Sequence, residues 1–136
     1  MNSMALLYVA DRAGANDALE LPSAELALQI RAVPTAERAM NYLIGLNGCA
    51  DRASHPFPQI VLIDLDSIHQ MFALVDWIKN DFFLEKVFVA VTMPPATELP
   101  PSLQADACLA RPVDGGKLGQ LIARAKSFSP SHHASN

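Results

Sequence analysis

The side chains in this sequence that are placed to do chemistry stand at the ends of short apolar runs. Asp64 and Asp66 follow Ile60-Val-Leu-Ile63, and Asp11 follows Met4-Ala-Leu-Leu-Tyr-Val-Ala10. Thr92 and Met93 follow Val87-Phe-Val-Ala-Val91, and Arg111-Pro112 follows Ala107-Cys-Leu-Ala110. Each run has the length and composition of a buried strand, so each polar group stands at a strand's carboxyl end. In open α/β sheets ligands bind outside those ends, so Asp64 is expected to have left the packed strand for a crevice, where a chemical group belongs rather than a core residue. Two plainer roles compete. An aspartate after a strand can cap a turn or the next helix, and Asp64 or Asp11 can pair with Arg111 for stability alone.

Strands and helices must alternate to bring these ends together. The expected strands are Met4 to Ala10, Leu26 to Val33, Ile60 to Ile63, Val87 to Val91 and Ala107 to Ala110. Pro34-Thr35 starts a helix over Ala36 to Leu46, with Thr35 as N-cap and an apolar stripe of Ala39, Met40, Leu43 and Ile44. A second helix runs from about His69 to Asn80, with Phe72, Val75 and Ile78 at helical spacing and Trp77 at its edge. Leu118, Leu121, Ile122 and Ala125 give the last helix its buried face. Pro22 stunts a helix starting near Asn16, and Pro94-Pro95 with Pro100-Pro101 leave room for a loop with about one turn. The pattern predicts an α/β chain, a doubly wound parallel sheet of five strands with helices on both faces.

Composition narrows the function classes. At 136 residues, 51% hydrophobic and 18% charged, the chain suits one globular domain. No apolar run approaches the length of a membrane span and no leader pattern opens the sequence, so the expectation is a cytoplasmic protein. A net charge of −4 with scattered basic residues argues against direct nucleic-acid binding. Cys49 and Cys108 lack metal-site spacing and read as structural thiols. There is no Gly-rich phosphate loop after the first strand and no Cys–His nucleophile pair, and His55 and His69 read as surface residues. An independent enzyme is therefore not expected. Residues 1–126 read as one domain and 127–136 as a flexible tail whose His132-His133 is solvated rather than metal-binding.

The set Asp11, Asp64 with Asp66, Thr92 or Met93, and Arg111-Pro112 resembles the receiver domain of two-component response regulators. The long loop before the third strand is similar to that of small single-domain receivers associated with bacterial phytochromes. The resemblance spans Leu6 to about Lys126 and implies a flavodoxin-like receiver fold. It assigns Asp64 to the phosphoacceptor position, Asp11 to the retained half of an acidic pair, and Asp66 to the residue whose carbonyl helps hold Mg²⁺. Asp11, Asp64 and Asp66 are thus the implied metal ligands, and Mg²⁺ the implied cofactor. The switch hydroxyl falls on Thr92, or is lost to Met93 if the alignment moves by one. Arg111 stands at the switch lysine position.

Several positions depart from the family pattern. Ala10 replaces the other acid of the pair, which should weaken Mg²⁺ binding. Arg111 exchanges a compact ammonium for a broad planar fork. Ile68 and Phe72 stand where Pro and Gly are usual after the acceptor. The shortened first helix and the shortened or missing fourth helix alter the family's docking and output faces. The implied function is an atypical response regulator acting through protein–protein contact with weak or no phosphorylation. The alternative is a functional phosphoreceiver that takes phosphate on Asp64 from a histidine kinase. Either way the partner is a protein, a histidine kinase or a downstream signalling protein, and Leu99 and Leu103 leave the oligomeric state open.

Overall fold

Apolar runs rich in Val, Ile and Leu cannot satisfy their backbones alone, and here they do so by pairing in parallel. A computed structural model describes residues 4–11, 28–45, 57–82, 84, 86–93, 104–110 and 113–127. The strands are β1 (Met4–Ala10), β2 (Leu28–Val33), β3 (Ile60–Asp64), β4 (Phe88–Met93) and β5 (Ala107–Ala110). They form one parallel sheet in the order β2-β1-β3-β4-β5, the flavodoxin-like arrangement. Among the described residues there are three helices: α1 (Ala36–Ile44), α2 (Ile68–Lys79) and α3 (Gly115–Ser127). The stunted helix before Pro22, the proline-rich connection at 94–103, Arg111-Pro112, Cys49, His55 and the tail beyond Ser127 lie outside the described residues.

Local chemistry sets the helix ends. Thr35 accepts the Arg38 N–H on its hydroxyl at 3.1 Å, as an N-cap should. Gly45, at φ 77°, turns its N–H back onto the Asn41 and Tyr42 carbonyls and ends α1. Ser67 caps α2 by accepting from Gln70 N at 3.2 Å, and the Asp114 carboxylate accepts from Lys117 N at 2.9 Å at the start of α3.

The sheet separates two cores. On one face α1 and α2 pack Tyr42, Leu43, Met71, Leu74 and Ile78 against Leu7, Val9, Val61, Ile63, Val89 and Val91. On the other α3 packs Leu118, Leu121 and Ile122 against Leu6, Tyr8, Ile60, Leu62, Ala90 and Leu109. The α1 stripe differs from expectation. Tyr42 enters the core whereas Ile44 is 48% exposed, because the buried face of the helix follows the i, i+3, i+4 spacing of Ala39, Tyr42 and Leu43, which leaves Ile44 off it. His69 is exposed as expected.

Two polar side chains knit the amino-terminal edge. Gln59 Oε1 accepts from Ala5 N at 2.7 Å, while its backbone bonds Ala5 O and receives Phe88 N, each at 3.0 Å. Asp106 Oδ2 accepts from Val89 N at 2.9 Å and pairs with Lys79 Nζ at 2.5 Å.

Candidate functional site

Register and period two determine what meets at the carboxyl edge. Ala10 is the partner of Asp64 across β1 and β3. Ile63 pairs with Val91, so Asp64 and Thr92 come next in the same row. Leu62 and Ala90 face α3, and residues two further along a strand share that face. Ala10, Asp64 and Thr92 therefore form one row across three strands, with Tyr8 one step behind Ala10.

Asp64 does not leave the strand as the sequence suggested. It is the last residue of β3 and is 2% exposed. An ionised carboxylate at that depth must be hydrogen-bonded. The Tyr8 phenol donates to Oδ2 at 2.7 Å, and the Thr92 hydroxyl donates to Oδ1 at 2.6 Å. Tyr8 is 2% and Thr92 0% exposed, so both donors are as dry as the acceptor. Charge-assisted bonds of this kind contribute about 1.5–3 kcal/mol each.

The other sequence-selected residues lie around this pair of bonds. The Asp66 N–H points at the Asp11 carboxylate, 3.3 Å from Oδ1 and 3.4 Å from Oδ2, and ties the end of β1 to the turn after β3. Both aspartates are exposed. β4 runs further than expected, so Thr92 and Met93 are both inside it. They point to opposite faces: Thr92 to Asp64, and Met93 into the core under α1 and α2. Ile68 is the first residue of α2 and Phe72 packs against the same core, so the turn after Asp64 is closed by Leu65, Asp66 and the Ser67 cap. Arg111 is outside the described residues.

Two residues escaped the sequence reading. Tyr8 reads in the sequence as one more apolar residue of β1, yet it sits at an even spacing from Ala10 and so on the same face as Asp64. Lys117, on the first turn of α3, sends Nζ to the Ala110 carbonyl at the end of β5, 2.8 Å away. Its signal was a lysine just after a helix start that must pack against the last strand.

The fit to a divalent cation can be tested on these contacts. Mg²⁺ needs near-octahedral oxygens at about 2.0–2.1 Å. The side chain of Ala10, the register partner of Asp64, supplies none. Both Asp64 oxygens accept hydroxyl protons, Asp11 accepts the Asp66 N–H, and among the described residues no three His, Cys, Asp or Glu side chains converge. The arrangement does not fit a tightly held Mg²⁺.

Elsewhere, Cys108 on β5 is exposed, although partial burial of its sulfur pushes the thiol pKa above its ordinary value. Among the described residues no helix is long and apolar enough to cross a membrane.

The sequence matches no protein-family model, and no curated protein matches it significantly. Its fold matches solved structures. A response regulator in red light signaling of R. palustris aligns with a TM-score of 0.70 at 22% identity, over 93% of this chain and 94% of that one. The bacteriophytochrome response regulator RtBRR gives 0.77 at 17% identity, over 94% and 81%. The Mn²⁺-bound form of the response regulator Rcp1 gives 0.65 at 16%, over 91% and 90%. At such identities the likeness establishes the fold, that of response-regulator receiver domains, phytochrome-associated ones included.

Proposed function

We propose that this chain is an atypical response regulator of two-component signalling, which works through protein–protein contact while Asp64 is a weak or silent phosphoacceptor. One observation carries the reading: Asp64, at the acceptor position of the receiver fold, is 2% exposed with each carboxylate oxygen held by a buried hydroxyl. Phosphoryl transfer depends on positioning the acceptor and neutralising charge around it. Here the acceptor is buried and hydrogen-bonded at the end of β3, and Ala10 supplies no second acid. Any Mg²⁺ held by Asp11, Asp64 and the Asp66 carbonyl is held weakly. The partner is a histidine kinase or a downstream signalling protein.

A working phosphoreceiver is the second reading. It is favoured by the placement of Thr92, whose hydroxyl lies 2.6 Å from Asp64 where a switch hydroxyl would meet the acceptor. In that reading Asp11, Asp64 and Asp66 hold the metal and Arg111 takes the lysine's part.

Intact mass after incubation with acetyl phosphate and Mg²⁺ separates the two. The first reading expects little or no phosphoryl adduct, and none that distinguishes wild type from Asp64→Asn. A near-stoichiometric adduct, lost in Asp64→Asn, rejects it in favour of the second.

A further inference from the structure

Tyr8 is the polar group at the site that the receiver resemblance leaves unused. Its phenol donates to Asp64 Oδ2 at 2.7 Å from a side chain 2% exposed. A phenylalanine would fill the same volume among Leu6, Ile60 and Leu62. The hydroxyl adds a donor, and the donor is aimed at Asp64.

Direction gives the contact its meaning. Tyr8 lies two residues before the end of β1, and its phenol holds Oδ2 of an Asp64 that is itself only 2% exposed. Asp11 and Asp66 stand exposed at the edge itself. Between them is Ala10, the register partner of Asp64, whose methyl group brings no charge. A carboxylate with no acid beside it and a dry donor behind it settles on the donor.

We propose that Tyr8 is a positioning residue that keeps the Asp64 carboxylate retracted from the carboxyl edge, so that Tyr8 and Ala10 together lock the acceptor position. The proposal rests on the reading of Asp64 as that position. The lock opens when the Tyr8 bond is released and Oδ2 can turn towards the edge.

The test compares Mn²⁺ affinity, by titration calorimetry, for the full chain as wild type, Tyr8→Phe and Asp64→Asn. Fluorine NMR of a beryllofluoride adduct gives a second readout on the same samples. Tyr8→Phe frees one oxygen from a hydrogen bond to a charged group, so Mn²⁺ should bind about tenfold more tightly and the adduct should form at lower metal. Unchanged or weaker affinity in folded Tyr8→Phe overturns the lock. Asp64→Asn separates two failures. If it abolishes Mn²⁺ binding while Tyr8→Phe gains nothing, the lock alone is rejected. If affinity ignores both substitutions, the acceptor reading falls with it. Should Tyr8→Phe fail to fold, the chain's two tyrosines, Tyr8 and Tyr42, can be labelled as 3-fluorotyrosine. The Tyr8 resonance must then move between wild type and Asp64→Asn while that of Tyr42 stays, and a Tyr8 signal that does not move overturns the proposal.

Discussion

Replacing Thr92 with valine keeps the shape of the side chain and deletes one hydroxyl. Thr92 is 0% exposed, and its Oγ1 lies 2.6 Å from Asp64 Oδ1. Losing a hydrogen bond to a charged group costs about 1.5–3 kcal/mol. The added methyl group returns about 0.8 kcal/mol through apolar burial. Water is a poor substitute donor because Asp64 is itself 2% exposed. The net loss is about 1–2 kcal/mol. For a domain of this size each kcal/mol moves Tm by about 3–5 °C, so Thr92→Val should melt about 3–10 °C below wild type. Thermal and urea unfolding of wild type, Thr92→Val, Asp64→Asn and the double variant form a cycle. In the Asp64→Asn background the hydroxyl faces a neutral amide, so Thr92→Val should cost about 1 kcal/mol less than in wild type. Equal costs in the two backgrounds would refute the account, since the stabilisation would then belong to Thr92's packing and not to its bond with the carboxylate.

Two further outcomes follow from other parts of the structure. Lys79 Nζ bonds both Asp106 Oδ2 and the Val87 carbonyl, with side chains 9% and 18% exposed for Lys79 and Asp106. Lys79→Met should therefore cost about 2–3 kcal/mol in urea unfolding, somewhat below a fully buried pair; a cost near that of a surface pair would show that the clamp contributes little. For Cys108, the raised thiol pKa lowers the thiolate fraction at neutral pH below that of a free cysteine. In a Cys49→Ser background, iodoacetamide should modify Cys108 slowly at pH 7 and faster as the pH rises. A rate at pH 7 equal to that of free cysteine would contradict the burial argument.

Much of the fold was legible because its signals are local. The apolar runs of β1 and β5 have the bounds expected of them, and Thr35 caps α1 as its type and position imply. Strand ends were less legible. β3 includes Asp64 and β4 reaches Met93, since backbone pairing in the sheet carries a strand past the residues that propensity would end it on. The face of α1 is likewise ambiguous in the sequence: Tyr42 and Ile44 both suit an apolar stripe, and packing against the sheet chose Tyr42.

The candidate site divides along the same line. That Asp11, Asp64 and Thr92 would gather at one edge follows from the order of apolar runs and the parallel sheet they require, and the sequence by itself determined it. That the last residue of β1 is Ala10 and not an acid is also written there. Which way Asp64 turns was decided only by tertiary structure. The β1–β3 register places Ala10 beside Asp64 and brings the phenol of Tyr8 within 2.7 Å of it, across 56 positions of chain. A pattern of apolar and polar residues counts tyrosine as packing, because the pattern carries no distance. Burial removes water from the carboxylate, and only the register shows which hydroxyls take its place.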